Sequence, residues 1–176
     1  LVVTSYTTNA VLTTNLLING DFESSLAPAW SGVGNHSGSA LDTNAAHSGI
    51  ASLHLVSTGI GTGSGASVTQ VLAPPLTNRT VVLSLWYLRT AMSDKLVARM
   101  SGSGVVASGA DPPATPTWYY VTATGTASNT PTLYMYLSGG GEAFIDDIFL
   151  ARGTTPEQGT NLLINGDFEQ PLTNGW

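Results

Sequence analysis

Apolar residues in this chain alternate with polar ones over short runs instead of recurring in helical stripes. Along Val81–Leu88, Leu83, Leu85 and Tyr87 share one face, while Ser84, Trp86 and Leu88 share the other. The same two-residue period turns Leu53 and Leu55 inward and His54 outward. It turns Leu133, Met135 and Leu137 inward and Tyr134 and Tyr136 outward. Segments rich in Val, Leu, Thr and Tyr, bounded by Gly, Pro, Asn and Ser, read as strands. They lie at Asn15–Ile18, Ala51–Val56, Ser67–Leu72, Thr80–Arg89, Lys95–Ser101, Trp118–Gly125, Thr132–Leu137 and Ala143–Leu150. No window combines a helical period with capping residues. Ser57–Gly65 and Val105–Pro116 read as loops. The expectation is an all-β, two-sheet sandwich with jelly-roll connections.

A repeat sets the domain boundaries. Asn15-Leu-Leu-Ile-Asn-Gly-Asp-Phe-Glu23 returns letter for letter as Asn161–Glu169, with Leu26 matching Leu172 and Trp30 matching Trp176. The spacing is a natural domain length. One unit therefore spans residues 15–151, with a Gly/Pro/Thr linker at 152–160 and the start of a next repeat at 161–176. Residues 1–14 read as the tail of a preceding repeat, or as an N-terminal strand plus linker. A lone strand cannot bury Leu162, Ile164, Phe168 and Trp176. Strand sharing with Leu1–Tyr6 of a neighbouring copy, giving a head-to-tail fibre, is the assembly this implies.

Charge removes several functions. Eleven Asp and Glu face five Lys and Arg, for a net charge of −6, which argues against a nucleic-acid partner. Only 9% of the residues are charged, against about 25% in an average soluble protein, so few ionisable groups exist to build a catalytic centre. The absence of Cys excludes disulfides, thiolate metal sites and Cys nucleophiles. No apolar run is long enough for membrane insertion. The chain carries no secretory leader and begins with Leu1, so it reads as a mature protein or an excised piece. His36 and His47 lie in Gly/Ser-rich loops, and no Gly-x-Ser-x-Gly motif occurs. Asp146 and Asp147 alternate faces on a strand, so they cannot act together as an acid–base pair. Gly59–Gly65 resembles a phosphate loop but lacks its Lys. The expectation is that the chain is not an enzyme. Asn35-His-Ser37 and Asn78-Arg-Thr80 are sequons.

The order of signals carries a resemblance. Asn-Leu-Leu-x-Asn-Gly-Asp-Phe-Glu is followed by Trp30, His47-Ser48-Gly49-x-x-Ser52-Leu53 and Leu83-Ser84-Leu85-Trp86. Trp118, Leu133-Tyr134 and Phe144-Ile145-Asp146-Asp147-Ile148 follow. This resembles the β-sandwich carbohydrate-binding modules of families four, sixteen and twenty-two, and it covers nearly all of residues 15–151. The resemblance implies a non-catalytic, extracellular or cell-surface module that binds a polysaccharide or glycan. It also implies a structural calcium near the opening motif and the closing strand, at Glu23, Asp21, Asp146 and Asp147, with carbonyls from the His47–Gly49 turn. It further implies that the strands holding His54, Trp86, Tyr134, Tyr136 and Arg99 are neighbours in one sheet, which would make these residues one outward aromatic face for stacking on sugar rings. Trp30 and Trp118 match positions that are usually structural. The competing reading is a structural repeat of a stalk, adhesin or fibre, whose contacts are with neighbouring copies.

Overall fold

The computed structural model describes residues 14–73, 76–90, 95–109, 117–128 and 132–156. The expected preceding tail, the next repeat at 161–176 and their strand sharing lie outside the described residues.

The described residues form ten strands. They are β1 (Ser31–Gly32), β2 (Ala40–Asp42), β3 (Ser52–Ser57), β4 (Val68–Val71) and β5 (Thr80–Arg89), then β6 (Leu96–Met100), β7 (Val106–Ser108), β8 (Trp118–Thr126), β9 (Thr132–Leu137) and β10 (Gly141–Arg152). They make two antiparallel five-stranded sheets, in the order β1-β4-β9-β6-β7 and β2-β3-β10-β5-β8. The architecture is the expected β-sandwich. Three short strands escaped the sequence reading. Residues 31–32 and 40–42 are too short to show alternation, and 106–108 fall in the expected Val105–Pro116 loop.

The inward faces meet as one core. Leu53, Leu55, Leu83, Leu85 and Ile145 of the second sheet pack with Leu96, Met100, Leu133, Met135 and Leu137 of the first, all within 1% of full burial. Strand alternation thus decides which residues are removed from water, each large aliphatic side chain contributing about 1.5–3 kcal/mol.

The opening motif is no strand, contrary to expectation. It is an edge clamp built from side chains. Asn15 donates its Nδ2–H to the Ile148 carbonyl at 2.9 Å and accepts from the Leu150 amide at 3.0 Å. Leu16 N–H donates to the Leu150 carbonyl. Gln70 closes both polar groups of Ile18, at 2.8 and 2.9 Å. Asn19 and Phe22 have φ of 53° and 54°, which breaks extended pairing and drops Phe22 fully into the core.

His36, which the sequence places in a Gly/Ser-rich loop, is buried, with Nε2 accepting from the Leu137 amide at 2.9 Å and Nδ1 beside Asn35 Oδ1 at 2.7 Å. Burial lowers the His36 pKa; because Nε2 accepts an amide hydrogen it carries no proton, and Nδ1 holds the proton that Asn35 Oδ1 accepts.

Candidate functional site

Sheet order divides the expected aromatic face. Tyr134, Tyr136 and Arg99 belong to the first sheet, on β9 and β6; His54 and Trp86 belong to the second, on β3 and β5. The in/out assignment from alternation is right, but the neighbours are not those expected. β9 pairs with β4 and β6, and β5 pairs with β10 and β8, so the two groups look out from opposite sides of the sandwich.

On the first sheet, Arg99 lies opposite Tyr134, and Val97 opposite Tyr136. The tyrosine rings are nearly parallel, 6.0 Å apart, and the Arg99 guanidinium sits 5.7 Å from the centre of Tyr134. Arg99 Nε is buried without a hydrogen-bond partner. Tyr134 and Tyr136 are each only 7% exposed and form a buried cluster with Val97. The open aromatic surface expected here is therefore absent from the two tyrosines.

The second sheet presents aromatic surface. His47 stacks on Trp86, with ring centres 4.0 Å apart and planes at 15°. Trp118 meets His47 edge-on at 5.6 Å, and Tyr120 tilts against Trp86 at 5.2 Å. Trp86, Trp118 and His47 are half-buried, and Tyr120 is 39% exposed. Trp118, matched to a usually structural position, is half-buried on the outer face. Its register opposite Leu88 puts it on the outer face, away from Leu85 and Tyr87. Trp30 is buried as expected, donating its indole N–H to the Ile18 and Asn19 carbonyls. On the neighbouring row, His54 stacks on Phe144 at 4.7 Å and 14°, with its Nε2 2.9 Å from Glu142 Oε2.

His47, Trp118, Tyr120 and Phe144 were missed. Alternation in β8 and β10 could have flagged the last three; the His47-Ser48-Gly49 motif marked the loop but not that its ring lies over Trp86.

Two aspartates hold that loop. β10 is bulged, with three steps from Asp146 to Phe149 facing two from Trp86 to Ser84. Asp147 takes φ 46° there. The bulge cancels the expected alternation, so both carboxylates serve residues 47–48. Asp146 is fully buried, and its Oδ2 accepts the His47 and Ser48 amides at 2.8 and 3.1 Å. Its Oδ1 accepts the Asp147 amide at 2.8 Å. Burial raises the pKa of Asp146, and these three amides pull it back. Asp147 Oδ2 lies 2.7 Å from His47 Nδ1, and Ser48 Oγ–H donates to Asp147 Oδ1 at 2.8 Å. Together they fix the plane of His47 against Trp86.

Glu23 holds the other end of the loop, accepting the Ile50 and Ala51 amides at 2.9 and 3.1 Å. Asp21 is exposed. Calcium needs several oxygens converging on one point. Here the carboxylates face N–H donors, an arrangement that does not fit a cation. Among the described residues no group of three or more His, Asp or Glu able to hold a metal forms. The calcium expectation thus rests on the resemblance alone, and a melting curve decides it. Glu23→Gln lowers stability by about 1–2 kcal/mol in chelator-treated protein, because a charged acceptor of two amides is lost. Equal melting of wild type and E23Q in chelator, with a difference appearing only on adding calcium, would return Glu23 to a metal.

No family model matches the chain, and no curated protein sequence matches it. Solved structures do. The family 61 carbohydrate-binding module TmCBM61, determined with β-1,4-galactotriose, superposes with a TM-score of 0.53 at 17% identity, over 80% of this chain and 100% of its own. A family 22 xylan-binding domain gives 0.56 at 16% identity, over 81% and 97%. The Stig cyclase Fisc from Fischerella sp. TAU gives 0.58 at 14% identity, over 83% and 99%. At such identities the likeness is one of fold, and the cyclase shows that this fold also serves an enzyme. In its two five-stranded sheets and over most of its length, this chain has the β-sandwich fold of the carbohydrate-binding modules.

Proposed function

We propose that this chain is a non-catalytic, extracellular glycan-binding module whose binding face is the outer surface of the second sheet. The observation that carries this reading is the half-exposed cluster of Trp86, His47, Trp118 and Tyr120 with Asp147 and Ser48 at its border. A pyranose presents an apolar C–H face ringed by hydroxyls. It is matched by an aromatic plane beside fixed hydrogen-bonding groups. Carbohydrate-binding modules among the fold relatives support the ligand class. The non-catalytic reading is supported by Ser48, which donates to Asp147 and not to His47, so the pair lacks the contact that activates a serine.

A second reading places the glycan on the first sheet. Arg99 favours it, because a buried Nε–H without a partner is a donor that a ligand hydroxyl could satisfy. The two readings separate in one experiment. The protein is run in affinity gels containing neutral polysaccharides, with Trp86→Ala and Arg99→Ala beside wild type. Trp86→Ala weakens retention about tenfold, the equivalent of one stacked ring, and Arg99→Ala leaves it unchanged. The reverse pattern moves the site to the first sheet. No retention on any glycan overturns the function and leaves the structural repeat of a stalk, adhesin or fibre.

A further inference from the structure

The two sequons, Asn35-His-Ser37 and Asn78-Arg-Thr80, are treated in opposite ways by the fold. Asn35 is committed to the interior. Its Nδ2 group donates to the Gly59 carbonyl at 2.7 Å and to Ser57 Oγ at 3.1 Å, and its Oδ1 lies 2.7 Å from His36 Nδ1. Gly61 closes on the same nitrogen, so that an added Cβ there would meet it at 2.8 Å. His36, the middle residue of that sequon, is fully buried. Asn78 lies in the turn that leads into β5. Its amide donates to the Ala127 carbonyl at 3.0 Å, and the Arg79 amide donates to the Leu76 carbonyl at 2.9 Å. Its φ of 56° is the left-handed conformation that Asn tolerates. With the backbone held in this way, Asn78, Arg79 and Thr80 are all exposed. A cleft of about 500 Å³ opens beside Asn78, lined by Gly102, Ser103, Gly104, Thr126 and Ser128.

We infer that Asn78 is an N-glycan acceptor in the folded chain and that Asn35 is not. The donor is an oligosaccharide pyrophosphoryl lipid. The amide nitrogen of Asn78 attacks C1 of the first sugar: the N–C1 bond forms, the C1–O bond to the pyrophosphate breaks, and one amide proton passes to a base of the transferase. This needs free approach to the Asn nitrogen and to the hydroxyl two residues on. Asn78 and Thr80 offer both. At Asn35 the modified nitrogen would keep one N–H where two are now used, and the sugar would stand where Ser57 and Gly59 pack. Acceptance there requires the loop to open first. At Asn78 the first sugar has the cleft beside it, where Gly102 and Gly104 present no side chain and Ser103, Thr126 and Ser128 supply hydroxyls. The turn alone accounts for an Asn at a left-handed position, but not for the Thr two residues later. The inference concerns a glycan that the chain carries, and it holds whichever sheet binds one.

The test incubates the folded, unmodified chain with an oligosaccharyltransferase and its oligosaccharide pyrophosphoryl lipid. Synthetic peptides spanning residues 30–42 and 73–84 serve as the unfolded reference for each sequon. Mass spectrometry counts the attached glycans and locates them. Both peptides are expected to accept a glycan. The folded chain is expected to take one, at Asn78, at least about tenfold faster than at Asn35, because Asn35 must first break its hydrogen bonds. Thr80→Ala should abolish the modification and Thr80→Ser should keep it. Asn78→Gly should abolish it while preserving the turn, since Gly adopts the left-handed φ without strain. A folded chain left unmodified at Asn78, whether or not the 73–84 peptide accepts, overturns the acceptor. Equal rates at Asn35 and Asn78 in the folded chain overturn the exclusion of Asn35. A glycan that persists in Asn78→Gly lies elsewhere and overturns the assignment.

Discussion

Asp146→Ala should cost the domain about 3 kcal/mol or more, because it strands three backbone amides that one buried carboxylate now satisfies. For a domain of this size that lowers Tm by roughly 6–12 °C. Asp146→Asn should fall between the variant and wild type, since one amide oxygen can replace one carboxylate oxygen, while its NH2 group faces N–H donors. The loss should also reach the aromatic cluster. The carboxylate fixes the amides of His47 and Ser48, and the His47 ring lies 4.0 Å from that of Trp86. Trp fluorescence should therefore change, and glycan retention should weaken, at temperatures where the variant is still folded. A thermal melt within 1 kcal/mol of wild type, on the order of one surface hydrogen bond, would refute this account of Asp146.

Gly20→Ala is the second large effect. A Cβ on Gly20 would run into the Ile148 carbonyl oxygen, and Asn15 Nδ2 lies nearly as close. That carbonyl already accepts from Asn15, and the Ile148 amide donates to the Gly20 carbonyl at 2.8 Å. The neighbour is backbone in the bulged strand and cannot swing aside, so the clamp must open. A loss of about 2–3 kcal/mol or more is expected, at the upper end of overpacking costs. Gly38→Ala is the matched control, because a Cβ there would meet no atom within 4 Å. Chemical denaturation of the pair reads the difference directly. Equal midpoints would mean that the opening motif does not need its glycine for close approach.

The face of each strand residue was legible wherever both neighbours were ordinary strand residues. Leu53, Leu55, Leu83, Leu85, Leu133, Met135 and Leu137 are all in the core, and His54 and Trp86 are both on outer faces. Alternation failed where the backbone left two-residue periodicity. At Asp146–Asp147 the bulge adds a residue and delivers both carboxylates to one loop. At Asn15–Glu23 the nonapeptide repeat marked an important element but not its form, since side chains replace the ladder of a strand and two residues take positive φ. Trp118 illustrates a different limit. Its position matched a usually structural tryptophan, yet its register opposite Leu88 turns it outward.

By itself the sequence determined the fold class and the faces of the regular strands, because a two-residue period and turn residues are local properties that each segment carries alone. Which strands lie side by side was decided only in three dimensions. Tyr134 and Trp86 both alternate outward, but hydrogen bonding places β9 between β4 and β6, and β5 between β10 and β8. An outward residue has no preference written in its own segment for one sheet or the other; pairing partners far away in the chain make that choice. The Trp86 platform and its His47 lid therefore exist only once both sheets have formed.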